Sequence, residues 1–120
     1  MKSHEDLEVW QLGMVVAKRL YQVTSGFPRE EQFGLSAQLR KSAVSIPSNI
    51  AEGAARQGTK EFLQFLYIAS GSASELRTQL EIAISVVPNL EAELQALRAD
   101  SERVAMMLRK LIRSLKQSDY

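Results

Sequence analysis

The chain contains no cysteine and a single histidine, His4. Disulfides, thiolate metal sites and cysteine nucleophiles are therefore excluded, and the composition suits a reducing compartment. Zinc is left with too few of its usual ligands. The Glu-x-x-His pairs of carboxylate-bridged di-iron bundles are missing as well. A serine nucleophile would have no imidazole base except His4, which sits near the N-terminus and reads as a solvated side chain. The glycines, Gly34, Gly53, Gly58 and Gly71 among them, are dispersed, so they build no phosphate-cradling loop. No cofactor and no metal are expected. Long uncharged apolar runs are also lacking, and no segment reads as a membrane span. Residues 1–8 are polar and acidic rather than signal-like, so the expected location is the cytoplasm. Charge of one sign is not in excess: 15 Lys and Arg face 14 Asp and Glu, a formal net charge of +1. Whole-chain electrostatics thus gives no pointer to nucleic acid.

What the chain does have is helical periodicity from end to end. At 120 residues and 45% hydrophobic content it is expected to form one domain, 1–120, with a real core. A first helix is expected from about Ser3, where Asp6 completes a capping-box spacing, to the Gly26-Phe27-Pro28 break. A second covers roughly Glu31 to Arg56, with Leu35, Leu39, Ala43, Ile46, Ile50 and Ala54 on its apolar face. Gly58 separates it from a third, about Lys60 to Val87, for which Thr59 is the expected N-cap. Residues 62–69 of this helix are apolar almost all round. Beyond them Ala73, Leu76, Leu80, Ala83 and Val87 continue one face. After Pro88-Asn89, a fourth helix runs from about Leu90 to Lys116 on a seam of Leu94, Leu97, Ser101, Val104, Leu108, Leu111 and Leu115. Nothing alternates with period two. Four helices of similar length joined by short turns predict an all-α, antiparallel up-down-up-down four-helix bundle.

The first helix carries two apolar stripes where one would serve a bundle core. Leu7, Trp10, Met14, Ala17, Tyr21 and Thr24 form a heptad seam. Val9, Leu12, Val16, Leu20 and Val23 run beside it. The seam is expected in the core, with Trp10 and Tyr21 packed there, as Met106 and Met107 are in the last helix. The second stripe, Val9, Leu12, Val16 and Leu20, is then the expected oligomer interface, the alternative being that both stripes serve one wide core contact.

The most informative stretch is Ser45 to Gly53, SIPSNIAEG. A proline inside a helix removes a hydrogen bond and crowds the preceding turn, at about 3 kcal/mol. Helical periodicity resumes through Ile50 and Ala54, so Pro47 is expected to kink the second helix without ending it. Ser45, Ser48 and Asn49 stand near enough to satisfy backbone groups there. Ser70, Gly71 and Ser72 would let another helix approach closely. The expected arrangement is a buried polar network of Asn49, Glu52, Glu75 and Gln79 that fixes register, with Arg40 or Arg77 neutralising a carboxylate; the alternative is that Glu52 and Glu75 simply face water. A catalytic use of the cluster would require Glu52 and Glu75 to meet as a carboxylate pair; no catalytic residue is assigned. At the other end of the chain Arg109, Lys110, Arg113 and Lys116 crowd together. They are read either as cations complementing a helix C-terminus or as a weak, non-sequence-specific nucleic-acid contact.

The motifs DLEVW (Asp6 to Trp10), the Phe27-Pro28 turn with Glu30 and Glu31, FGLSAQLRKSAVSIPSNIAEGAAR (Phe33 to Arg56) and IASGSASELRTQLEIA (Ile68 to Ala83) carry a resemblance that covers nearly the whole chain. In them the chain resembles the four-helix bundle protein family first named for open reading frames within intervening sequences of bacterial large-subunit rRNA genes. The resemblance extends, more distantly, to the accessory variability protein of diversity-generating retroelements. It implies an antiparallel bundle that assembles as a homopentamer. The retroelement relative is a basic pentameric barrel that binds reverse transcriptase and nucleic acid, whereas this chain is close to neutral. Two functions follow as expectations. One is a non-enzymatic assembly or adaptor protein whose first partner is itself. The other is a nucleic-acid-binding accessory acting on structured RNA or with a reverse transcriptase.

Overall fold

Four apolar stripes close on one another along the whole chain. A computed structural model describes residues 3–119. The helices are α1 (Glu8–Thr24), α2 (Leu35–Ala54), α3 (Thr59–Val86) and α4 (Glu91–Asp119). Each packs on its two neighbours in a ring: α1 on α2, α2 on α3, α3 on α4, and α4 back on α1. The result is an all-α, up-down-up-down bundle with extents of 47 × 20 × 19 Å. The α1–α2 side and the α3–α4 side therefore lie on opposite faces.

The connections follow from the turn residues. Ser3 Oγ accepts a hydrogen bond from the Glu5 amide at 3.1 Å and opens a short 3₁₀ turn, His4–Asp6, before α1. Pro28 starts a second 3₁₀ turn, Arg29–Glu31, so α2 begins at Leu35 rather than at Glu31. Gln32 uses this turn to cap α1. Its Nε2 donates to the carbonyls of Thr24 (3.1 Å), in the last turn of α1, and of Phe27 (3.0 Å), in the turn that follows. Gly58, in an extended conformation, is the N-cap of α3, and Thr59 is its first helical residue. Pro88–Leu90 forms the third 3₁₀ turn.

The core holds Leu39, Ala43, Ile46 and Ile50 from α2, and Leu63, Leu66, Ala69, Ala73, Leu76, Leu80 and Ala83 from α3. From α4 come Leu94, Leu97, Val104, Leu108 and Ile112. Up to Leu108 the α4 seam is as expected. Beyond it the buried position passes to Ile112, and Leu111 and Leu115 are half-buried.

Helix α1 reverses the expected assignment of its stripes. Val9, Val16 and Leu20 are buried in the core and Leu12 is half-buried, so this stripe is not an oligomer surface. Successive residues on a helix differ by about 100°. With Val16 and Leu20 aimed between α2 and α4, Trp10, Met14 and Tyr21 are turned to the rim. Ala17, Thr24 and the half-buried Leu7 complete the seam's inner edge.

Helix α2 runs unbroken through Pro47 to Ala54. The proline ring is buried against α1, where Gly13 presents no side chain. A Cβ on Gly13 would stand 3.6 Å from Ile46 Cγ2 and 3.7 Å from the Pro47 ring, ordinary contact distances. The apolar ring thus contributes to packing at the site where it removes a backbone donor.

Candidate functional site

Three surface features gather the unusual residues. The first is a polar seam between α2 and α3. Ser42 is buried and bridges the helices, its Oγ standing 3.0 Å from both Glu75 Oε1 and Gln79 Oε1. Three residues on, Ser45 Oγ meets Ser72 Oγ at 2.8 Å. Asn49 Nδ2 donates to the Ser45 carbonyl (2.8 Å) and to Ser45 Oγ (3.0 Å). Asn49, Glu75 and Gln79 thus join the seam through Ser42, Ser45 and Ser72. Asn49 and Gln79 are half-buried and Glu75 is exposed.

Glu52 is not part of the seam. Its carboxylate is 54% exposed and pairs with Arg56 one turn later at 2.9 Å. Seven residues past Ser45, it keeps within about 20° of that residue's direction, yet its carboxylate turns along α2 to Arg56 instead of crossing to α3. Neither expected arginine neutralises a carboxylate there. Arg40 donates from Nε to Thr24 Oγ1 at 2.8 Å, and Arg77 pairs with Glu102 at 2.8 Å across α3 and α4. Nor is Gly71 a point of close approach, since a Cβ there would meet nothing within 4 Å.

The second feature is an apolar groove of about 440 Å³ between α1 and α2. Trp10, Met14 and Tyr21 form one wall, and Val44, Pro47 and Ala51 form the other. His4 closes one end, edge-on to Trp10 with ring centroids 4.9 Å apart. Tyr21 is held at the other end by the Arg40 guanidinium, 4.7 Å from its ring centre. Trp10 and Tyr21 therefore line an open surface rather than the core. On the α1–α2 connection Phe33 is 96% exposed. A second groove, lined by Tyr21, Gln32, Ala37, Arg40, Lys41, Val44 and Ser45, shares Tyr21 and Val44 with the first and leads toward that connection.

The third feature lies on the opposite face. Arg109, Arg113 and Lys116 of α4 line a cavity of about 450 Å³ with Tyr67 and Ser70 of α3, over Ile112 and beside Gln117. Lys110, exposed, is not among the lining residues. Met106 is exposed and Met107 half-buried on the same helix. Tyr67 stands 42 positions before Arg109, and nothing local in the sequence linked them.

Among the described residues, no three His, Asp or Glu side chains gather in a way that would hold a metal ion. Among the same residues, no helix is long and apolar enough to cross a membrane. No curated protein matches this chain. A solved structure from Bacteroides thetaiotaomicron, described as a protein of unknown function from the S23 ribosomal protein family, is similar over 88% of this chain and 95% of its own. The two share 25% sequence identity with a TM-score of 0.79. Residues 5–110 match the model of one protein family. On that match the chain belongs to the 23S rRNA-intervening sequence protein family.

Proposed function

We propose that the protein is a non-enzymatic, cytoplasmic assembly or adaptor protein that acts as a homo-oligomer. The observation that carries this reading is a complementary pair on one chain: the apolar α1–α2 groove and the fully projecting Phe33. A phenylalanine left in water forfeits roughly 1.5–3 kcal/mol that burial would supply. A groove of about 440 Å³ walled by Trp10, Met14 and Val44 has room for its ring. A second copy of the chain offers that ring. Such a contact joins two different patches, so it is head-to-tail and closes a ring when the rotation permits. The family resemblance favours five subunits.

The polar seam supports assembly rather than turnover. Its hydroxyls, amides and Glu75 are engaged with one another, and Glu52 lies outside it. Light scattering at micromolar concentration tests the reading, with Phe33→Asp as the variant. A multimeric parent and a smaller, folded variant are expected. A monomeric parent would remove the basis for an assembly role.

A further inference from the structure

We propose that the α3–α4 groove binds single-stranded nucleic acid, with a base stacked on Tyr67 and the backbone phosphates held by Arg109, Arg113 and Lys116. The site lies within one subunit, on the face opposite the apolar groove, and does not rest on self-association.

The charge is arranged for a linear polyanion. Arg109, Arg113 and Lys116 stand at i, i+4 and i+7 on α4, one stripe about 10 Å long at 1.5 Å per residue. Among the described residues Arg113 and Lys116 have no ion-pair partner. Arg109 is 3.8 Å from Glu102, whose carboxylate is already engaged by Arg77 at 2.8 Å. Among the described residues, no acidic side chain lines the groove. Cations that merely complement a helix end require no aromatic neighbour, yet this stripe has one. Tyr67 is 50% exposed and comes from the adjacent helix. Cations along the backbone with an aromatic platform for bases is the recurring construction of single-strand sites. Beside the platform, Ser70 and Gln117 supply hydroxyl and amide groups for a base edge.

The same geometry disfavours a duplex. Bases in a double helix are stacked on one another, and a tyrosine inside a concave groove reaches only a base that has left the stack. The expected ligand is therefore an unpaired stretch of RNA or DNA. Sequence preference is weak, because every base offers a π face.

Fluorescence anisotropy of the full chain tests this with labelled oligouridine, oligothymidine and a duplex, at low and physiological salt. Parent protein is expected to bind both single strands more tightly than the duplex, with affinity falling steeply as salt rises. Tyr67→Ala should weaken single-strand binding roughly tenfold, in the range expected for one lost stacking contact. Tyr67→Phe should retain it. Arg109→Glu/Arg113→Glu should lose binding and flatten the salt dependence. Tyr67 is half-exposed, so its variants are expected to fold as the parent does, which circular dichroism checks. Light scattering on each variant separates this proposal from the assembly reading. The proposal fails if the parent binds no single strand at low salt, or if Tyr67→Ala binds like the parent. It also fails if polyglutamate competes as well as oligouridine, which would make the groove a surface for acidic polypeptide.

Discussion

Gly53 of α2 and Phe65 of α3 approach so closely that a Cβ on the glycine would lie 2.6 Å from the Phe65 Cβ. The same atom would stand 3.0 Å from Phe62 Cδ1 and 3.4 Å from the Phe62 carbonyl. The Phe65 Cβ is fixed to its backbone and cannot swing away as a long side-chain end would. At an unhindered helical site, alanine in place of glycine would gain about 1 kcal/mol from propensity. Here the helices must separate instead. Gly53→Ala is expected to destabilise the protein by about 1–3 kcal/mol, the range for overpacked sites, and urea melts measure it. An increase in stability would show that α2 and α3 move apart at little cost.

This contact also shows where sequence reasoning stops. The helices and their core faces were legible because apolar spacing at 3.6 residues is a local signal. So was the continuation of α2 past Pro47, since Ile50 and Ala54 keep the period. Which of two adjacent stripes on α1 faces inward was not legible. Both satisfy helical spacing, and the choice depends on where α2 and α4 sit. The small residues misled for a related reason. Of the small segment Ser70, Gly71 and Ser72, Ser72 does meet Ser45 of α2, but the tightest backbone approach falls at Gly53, because packing partners are set by the rotation of both helices. Glu52 and Tyr67 failed in opposite directions. One is near the polar seam in sequence and outside it in space; the other is far from the basic stripe in sequence and beside it in space.

Ser101 of α4 is buried with its Oγ unpartnered among the described residues, as is Ser36 Oγ in α2. A buried hydroxyl without a hydrogen bond costs roughly 1–3 kcal/mol in lost solvation. Ser101→Ala removes that cost and has the better helix propensity. An increase in stability of about 1 kcal/mol is expected, visible as a melting temperature several degrees higher. A loss of that size would mean that the hydroxyl has a partner in solution.

Glu52 and the Ser42 hydroxyl that holds Glu75 should separate in their energetics. Glu52→Ala breaks an exposed pair with Arg56 one turn away, which is worth at most about 0.5 kcal/mol. Ser42→Ala takes the bridging hydroxyl from Glu75 and Gln79 at a buried position and should cost about 1–2 kcal/mol. Denaturant melts of the two variants make the comparison. Equal costs would place Glu52 in the seam after all.

Charges introduced on the two α1 stripes distinguish core from rim. Val16 and Leu20 are fully enclosed, and an unpaired charge at either position costs several kcal/mol. Two such costs approach or exceed the whole stability of an ordinary domain, about 5–15 kcal/mol. Val16→Glu/Leu20→Glu, two like charges that cannot pair with each other, is therefore expected to unfold the chain, with loss of the helical circular dichroism signal. Met14 is half-buried on the wall of the apolar groove. Met14→Glu can turn its carboxylate to water, so the helical signal should survive while the proposed oligomer, followed by light scattering, becomes smaller. A folded but dissociated Val16→Glu/Leu20→Glu protein would return the interface to the inner stripe. A folded Met14→Glu variant of undiminished mass would move the contact between copies away from the α1–α2 groove. Only the expected pair of outcomes, unfolding from one stripe and dissociation from the other, fits a core that uses Val16 and Leu20 and an association surface that uses Met14.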